Sequence, residues 1–328
     1  MVVVMSSGVQ FTTRNTVMSR LLHAAWRCVL ALVAASYSCA TAAEPTLADV
    51  SYGNDPRQKI DFFQAKSERP TPLVLVIHGG GWLNGDKRSF NNTAPFLAAG
   101  ISIVSVEYRF VSQASAEGVK PPVKYPMHDA ARALQFVRSK ASDWNLDASR
   151  IGATGSSAGA CTALWLAFHD DLADPQSADP VARQSTRVAC VAVAKAQTSL
   201  DPQQMREWIP NITYGPHAFG FAGDGAKKLS PFEQFFDERE TILPWIREYS
   251  PYELVTPDDP PVALYYDEPP AMGHDQESPA HSANFGVGLA AKLKQVGVEC
   301  DLVYPGAPDV RHPRMHDYLI ERLRTTQR

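Results

Sequence analysis

From Leu73 onward the chain alternates short, nearly unbroken apolar runs with stretches whose apolar residues recur every three or four positions. LVLVIH, ISIVSVEY, RIGATG, VACVAVAKA, VALYY and VECDLVY are rich in Val or Ile and bounded by Gly, Pro or polar residues, which predicts strands. Between them MHDAARALQFVRSKA repeats Ala130, Leu134, Val137 and Ala141 at helical spacing. AGACTALWLAFH and SANFGVGLAAKLKQVG read as further helices. Alternation of this kind predicts an α/β domain, a mostly parallel sheet with helices on both faces. Strands without a polar face fit such a sheet, because both of its faces are buried.

Residues 198–251 break the alternation with Pro, Trp, Phe and charge, as in QQMREWIPNITYGPHAFGFAG. They predict an insertion of short helices and loops between two strands, of the kind that covers a site. Trp208, Phe219 and Trp245 within it, with Trp82 earlier in the chain, are the expected apolar contacts to a substrate.

The first 43 residues have a different texture. They hold Arg14, Arg20 and Arg27 but no Asp or Glu, then an apolar run from Cys28 to Ala35, then small residues ending Thr41-Ala42-Ala43. That is the layout of a cleaved secretory signal peptide, with an apolar run too short to span a membrane. The expected mature protein is therefore residues 44–328, exported to the periplasm or medium, with no membrane attachment once cleaved. Cleavage removes three of 31 basic residues and none of the 35 acidic ones, so 28 against 35 leaves a formal net charge of −7. Such a surface does not attract nucleic acid. Of the five cysteines, Cys161, Cys190 and Cys300 remain, each in an apolar run. The expectation is buried thiols, a Cys190–Cys300 bridge being the alternative.

Two segments carry chemistry. Gly155-Ser156-Ser157-Ala158-Gly159 is a G-x-S-x-G pattern between a predicted strand and a predicted helix. A sharp turn there exposes the Ser157 hydroxyl at the sheet edge, and side chains at the flanking glycines would crowd it. IHGGGW follows the strand LVLVIH, and its successive glycines let backbone N–H groups face one point. Gly80, Gly81 and the N–H of Ala158 are the expected oxyanion donors. No Lys-Ser/Thr follows the glycines, which argues against a nucleotide-binding loop. His274, Asp275, Glu277, His281, Asp309, His312 and His316 are the residues a metal would draw on, but no H-E-x-x-H or CxxC pattern organises them, and no metal or cofactor is expected.

HGGGW, the following EYR, the helix with Asp129, NLDASRIGATGSSAG and SPYELVTPDDPPVALYY together resemble α/β-hydrolases of the hormone-sensitive-lipase and bacterial feruloyl-esterase type. The resemblance implies a cofactor-free serine carboxylesterase acting on small or polysaccharide-linked esters. It implies an acid after VALYY, where Gly273-His274-Asp275 with Pro279 and Ser282 points to Asp275, and Asp267 is second choice. It also implies a histidine two residues after the alanine of Pro305-Gly306-Ala307, but Asp309 stands there. His312, just before Pro313, is the expected base in its place, with His316 second. Two other readings stay open at this point: a non-catalytic binding protein on a hydrolase scaffold, and a peptidase of related fold.

Overall fold

The computed structural model describes Val3 and residues 43–325. The expected signal peptide, residues 1–43, thus lies outside the described residues apart from Val3 and Ala43. The described strands are β1 (Leu47–Ser51), β2 (Lys59–Phe63), β3 (Thr71–Ile77), β4 (Ser102–Val106), β5 (Leu146–Ser156), β6 (Cys190–Ala194), β7 (Val262–Tyr265) and β8 (Cys300–Val303). They form one sheet in the order β1-β2-β4-β3-β5-β6-β7-β8. The β1–β2 and β2–β4 pairs are antiparallel, and every pair from β4 to β8 is parallel.

Strands β3 and β4 are buried at every position, as unbroken apolar runs require when helices cover both faces. One apolar layer joins the sheet to the helices Lys124–Ser139, Ala158–Phe168 and Asn284–Val296. On the other face Phe96 and the helix Met315–Arg324, through Tyr318, Leu319 and Leu323, cover Val74, Val76, Ile103 and Ala192. Helix Ala158–Phe168 is buried along its whole length. This explains why AGACTALWLAF is apolar on all sides rather than striped.

Residues 198–251 lie between β6 and β7 and hold the helices Pro202–Trp208, Pro231–Asp237 and Arg239–Tyr249. The first and second begin with capping side chains, Asp201 accepting from the Gln203 N–H and Ser230 from the Glu233 N–H, each followed by a proline at the first helical position. Cys161, Cys190 and Cys300 are free thiols, so the bridge between the last two is not formed. Among the described residues no helix is long and apolar enough to cross a membrane.

Candidate active site

Ser157 stands between the end of β5 and the helix Ala158–Phe168, with φ 54° and ψ −124°. A left-handed backbone is uncommon for a residue with a Cβ and signals local strain. Neighbouring backbone holds it there: the Ser157 N–H donates to the Ala194 carbonyl at 3.0 Å, and its carbonyl accepts from the Cys161 N–H at 3.0 Å. The flanking glycines are required by contact. A Cβ on Gly159 would lie 2.1 Å from the Ile77 carbonyl oxygen, and one on Gly155 would lie 2.5 Å from the Gly159 carbonyl carbon.

The glycine loop approaches from β3. Gly80, Gly81 and Trp82 are all left-handed, at φ 106°, 62° and 58°. The Gly80 carbonyl accepts from Leu83 and Asn84, closing a tight turn, while the N–H groups of Gly80 and Gly81 donate to no described residue. Ala158 opens its helix, so its N–H has no partner within that helix. Beneath the loop, His78 is stacked on Tyr108 and bonded through Nε2 to Glu107 at 3.1 Å. The Tyr108 hydroxyl donates to the His78 carbonyl at 2.8 Å, and Arg109 grips Asp129 through two bonds of 2.9 and 2.7 Å. His78, Glu107 and Tyr108 thus buttress the glycine loop, and Arg109 ties the same segment to Asp129.

The imidazole that meets Ser157 is not the expected one. His281 Nε2 lies 3.0 Å from Ser157 Oγ. His281 ends the 3-10 turn Pro279–His281, just before the helix Asn284–Val296, and its Nδ1 faces Ser278 Oγ at 3.4 Å. Gln197 holds this turn by donating to the Ala280 carbonyl and, at 3.3 Å, to the Lys195 carbonyl. Burial, and secondarily the Lys195 ammonium, lower the His281 pKa below its usual value, with Asp267 acting in the opposite sense. Asp267 is itself tied to Lys195 Nζ at 2.5 Å. The free-base form that can accept a proton from serine is therefore favoured.

His312, the expected base, is engaged elsewhere. Its Nδ1 meets Asp301 at 3.1 Å and its Nε2 meets Glu321 at 3.0 Å, so both nitrogens are occupied by carboxylates of β8 and the last helix. His316 lies beside Asn92 and Phe96. Asp275, the expected acid, is exposed, and its carboxylate bonds to no described residue. The loop that was to bring it to the histidine is pinned instead by Gln276 against Asn211 and by Asn284 against the Trp208 and Ala271 carbonyls.

The four expected apolar contacts also separate. Trp82 is fully buried, and its indole N–H donates to Thr162 Oγ1 at 3.0 Å. Trp208 packs beneath Gly288, where an added Cβ would strike its ring at 2.4 Å, and against Phe285 and Tyr252. It is a core residue. Phe219 and Trp245 lie parallel, 6.5 Å apart, beside a cavity of about 410 Å³ whose lining includes neither Ser157 nor His281. His281 was the site residue hardest to find in the sequence. Its only local signal is a histidine in SPAHS, at the start of the helix after β7, whereas the resemblance directs attention to the loop after β8.

Known proteins are similar to this chain in sequence and fold. The BD-FAE family matches residues 60–271. Versiconal hemiacetal acetate esterase of Dothistroma septosporum is 29% identical over 136 residues, 40% of this chain and 38% of that one. Its aligned part, like that of other such relatives, spans less than half of the relative's own length. A truncated carbohydrate esterase from gut microbiota superposes with TM-score 0.63 at 19% identity, covering 87% of this chain and 100% of that one. The acetyl ester-xyloside bifunctional hydrolase from Caldicellulosiruptor lactoaceticus gives TM-score 0.55 at 23% identity, covering 75% and 76%. With the strand order, the strand-to-helix serine turn and a family match over more than half its length, the chain belongs to the BD-FAE family and has the α/β-hydrolase fold.

Proposed function

We propose that the protein is a serine carboxylester hydrolase in which His281 is the base. The observation that carries this reading is the 3.0 Å contact between Ser157 Oγ and His281 Nε2 at a strained strand-to-helix turn. Ser157 Oγ adds to the ester carbonyl carbon as its proton passes to His281 Nε2, and the carbonyl π pair moves onto oxygen. The unpaired N–H groups of Gly80, Gly81 and Ala158 receive that oxyanion. Collapse breaks the bond to the alcohol, which leaves with the proton from His281, and an acyl-serine remains. Water then adds by the same route, giving the acid and restoring Ser157.

Ser278 orients the imidazole through Nδ1, and the Asp267 charge favours the imidazolium formed in each step. A hydroxyl in place of a carboxylate at Nδ1 makes this a lighter-handed version of the usual triad. Small esters and esters linked to polysaccharide are the substrate class, supported by similarity to proteins named as acetate, carbohydrate and acetyl ester-xyloside hydrolases. Export follows from the leader-like residues 1–43.

The test is hydrolysis of short-chain and feruloyl nitrophenyl esters by the wild type, Ser157→Ala and His281→Ala. Turnover by the wild type that both variants lose is the expected result. A wild type no faster than Ser157→Ala would overturn the proposal. N-terminal sequencing of protein made in a bacterial host tests export, with a start near Glu44 expected.

A further inference from the structure

The segment between β6 and β7 brings one histidine against the glycine loop. His217 projects from the 3-10 turn Pro216–Phe219, bracketed by the left-handed Gly215 and Gly220. Phe219 on that turn is stacked on Phe235 at 5.4 Å. His217 instead lies 6.0 Å from the Trp82 ring, with Tyr214 edge-on to it at 5.0 Å, so two aromatic neighbours fix its plane.

Three facts single out its Nε2. A Cβ built on Gly81 would have one heavy atom within 4 Å, and that atom is His217 Nε2 at 3.8 Å, so the space beside Gly81 is open except for this nitrogen. Nε2 is shut off from solvent and has no hydrogen-bond partner among the described residues. Burial lowers the pKa of the ring, an effect that the Gly81 backbone opposes, so the neutral imidazole is favoured. A buried polar group left unpaired in a folded protein calls for an explanation, and a ligand that completes the bond is one. In acyl transfer the group that arrives at Gly81 is the carbonyl oxygen on which charge develops.

We propose that His217 is a further catalytic residue of the ester-hydrolysing site, its Nε2–H donating a hydrogen bond to the substrate carbonyl oxygen as it becomes the oxyanion. The inference rests on the serine-hydrolase reading above. His217 keeps its proton throughout, while the proton of Ser157 travels to His281 and on to the leaving alcohol. A neutral imidazole can act as such an electrophile without competing for that proton. Trp82 and Tyr214 hold the plane of the ring, and the substrate oxygen must displace the contacts that now close Nε2 off from solvent.

The experiment measures kcat and KM for 4-nitrophenyl acetate with the wild type, His217→Phe and His217→Gln. Phe keeps the ring packing without the donor, and Gln keeps an N–H donor without the ring. His217→Phe should lower kcat about 100-fold, the scale for losing one oxyanion donor, with KM within about threefold and an unchanged melting temperature. Its affinity for a trifluoromethyl ketone, which mimics the tetrahedral adduct, should fall by about the same factor. His217→Gln should stay within about tenfold of the wild type. Wild-type kcat in His217→Phe, a change confined to KM, or equal kcat losses in both variants with lowered melting temperatures would each overturn the proposal. A wild type no faster than Ser157→Ala would instead remove the serine-hydrolase reading on which it rests.

Discussion

Replacing His281 and, separately, His312 by alanine separates chemistry from architecture. His281 is half-buried at the end of a single 3-10 turn, so its removal disturbs little packing. It does remove the group that takes the serine proton. General base catalysis contributes about 10²–10⁴-fold, and triad members act as a unit, so a fall in kcat of about 10³–10⁴-fold is expected. With only the Ser278 hydroxyl at Nδ1, the upper end is the ceiling. His312 has the opposite profile. It is almost fully buried between Asp301 and Glu321, with its ring edge-on to Tyr318 at 5.3 Å. A hydrogen bond to a charged partner contributes about 1.5–3 kcal/mol, which describes the Asp301 side. Glu321 is nearly half exposed, so solvent screening reduces its share to about 0–1 kcal/mol. Adding a modest cavity, His312→Ala should cost about 2–4 kcal/mol, or about 3–7 °C in melting temperature for a domain of this size.

The pH dependence carries a sign that can be checked. Burial pushes the His312 pKa down, but the bonds to Glu321 and Asp301 outweigh it and leave the pKa raised. A raised pKa means that the charged pairing contributes fully below the unfolded value of about 6.5 and is lost as pH rises through the folded value. The stability gap between wild type and His312→Ala should therefore be larger at pH 5.5 than at pH 9. Thermal melts at both pH values, with ester hydrolysis at each, would measure this. A His312→Ala protein that melts like the wild type yet has lost hydrolysis would refute the assignment, as would a His281→Ala protein with wild-type kcat.

Three further outcomes are expected. Gly159→Ala should lose more than about 3 kcal/mol and yield little folded protein, because its Cβ would fall 2.1 and 2.5 Å from two backbone oxygens; solubility and melting temperature would show it. The acid limb of kcat/KM should lie below the ordinary histidine range, because burial and then Lys195 lower the His281 pKa; Lys195→Met should move the limb upward and Asp267→Asn downward in a pH–rate series. Tyr214→Phe should raise stability by about 1 kcal/mol in denaturant titration, because the hydroxyl it removes is buried without a partner; lower stability would mean that an unseen partner exists.

Much of the fold was legible because burial on both faces leaves a plain mark: β3 and β4 read as LVLVI and SIVSV. The two antiparallel strands at one side of the sheet were missed. β1 is mostly exposed, and KIDFF in β2 is too short and mixed to stand out from a loop. The serine turn was legible because the glycines at 155 and 159 answer a steric demand that shows in sequence. His281 was not, since what brings it to Ser157 is the path of the loop after β7 and the grip of Gln197 on Ala280, neither of which has a periodicity. Nor does an aromatic residue declare what it packs against. Trp208 went to the core and Phe219 with Trp245 to a separate cavity, although all three looked alike in the sequence.

The left-handed backbone of Ser157 has a consequence for how the chain can change over time. At φ 54° a Cβ carries a strain of about 1–3 kcal/mol that glycine would not, so Ser157→Gly should be more stable than Ser157→Ala at equal loss of activity. If the scaffold alone were useful, drift at this position would run downhill toward glycine. A serine kept there holds a standing tension between stability and activity, and differential melting of the two variants would give its size.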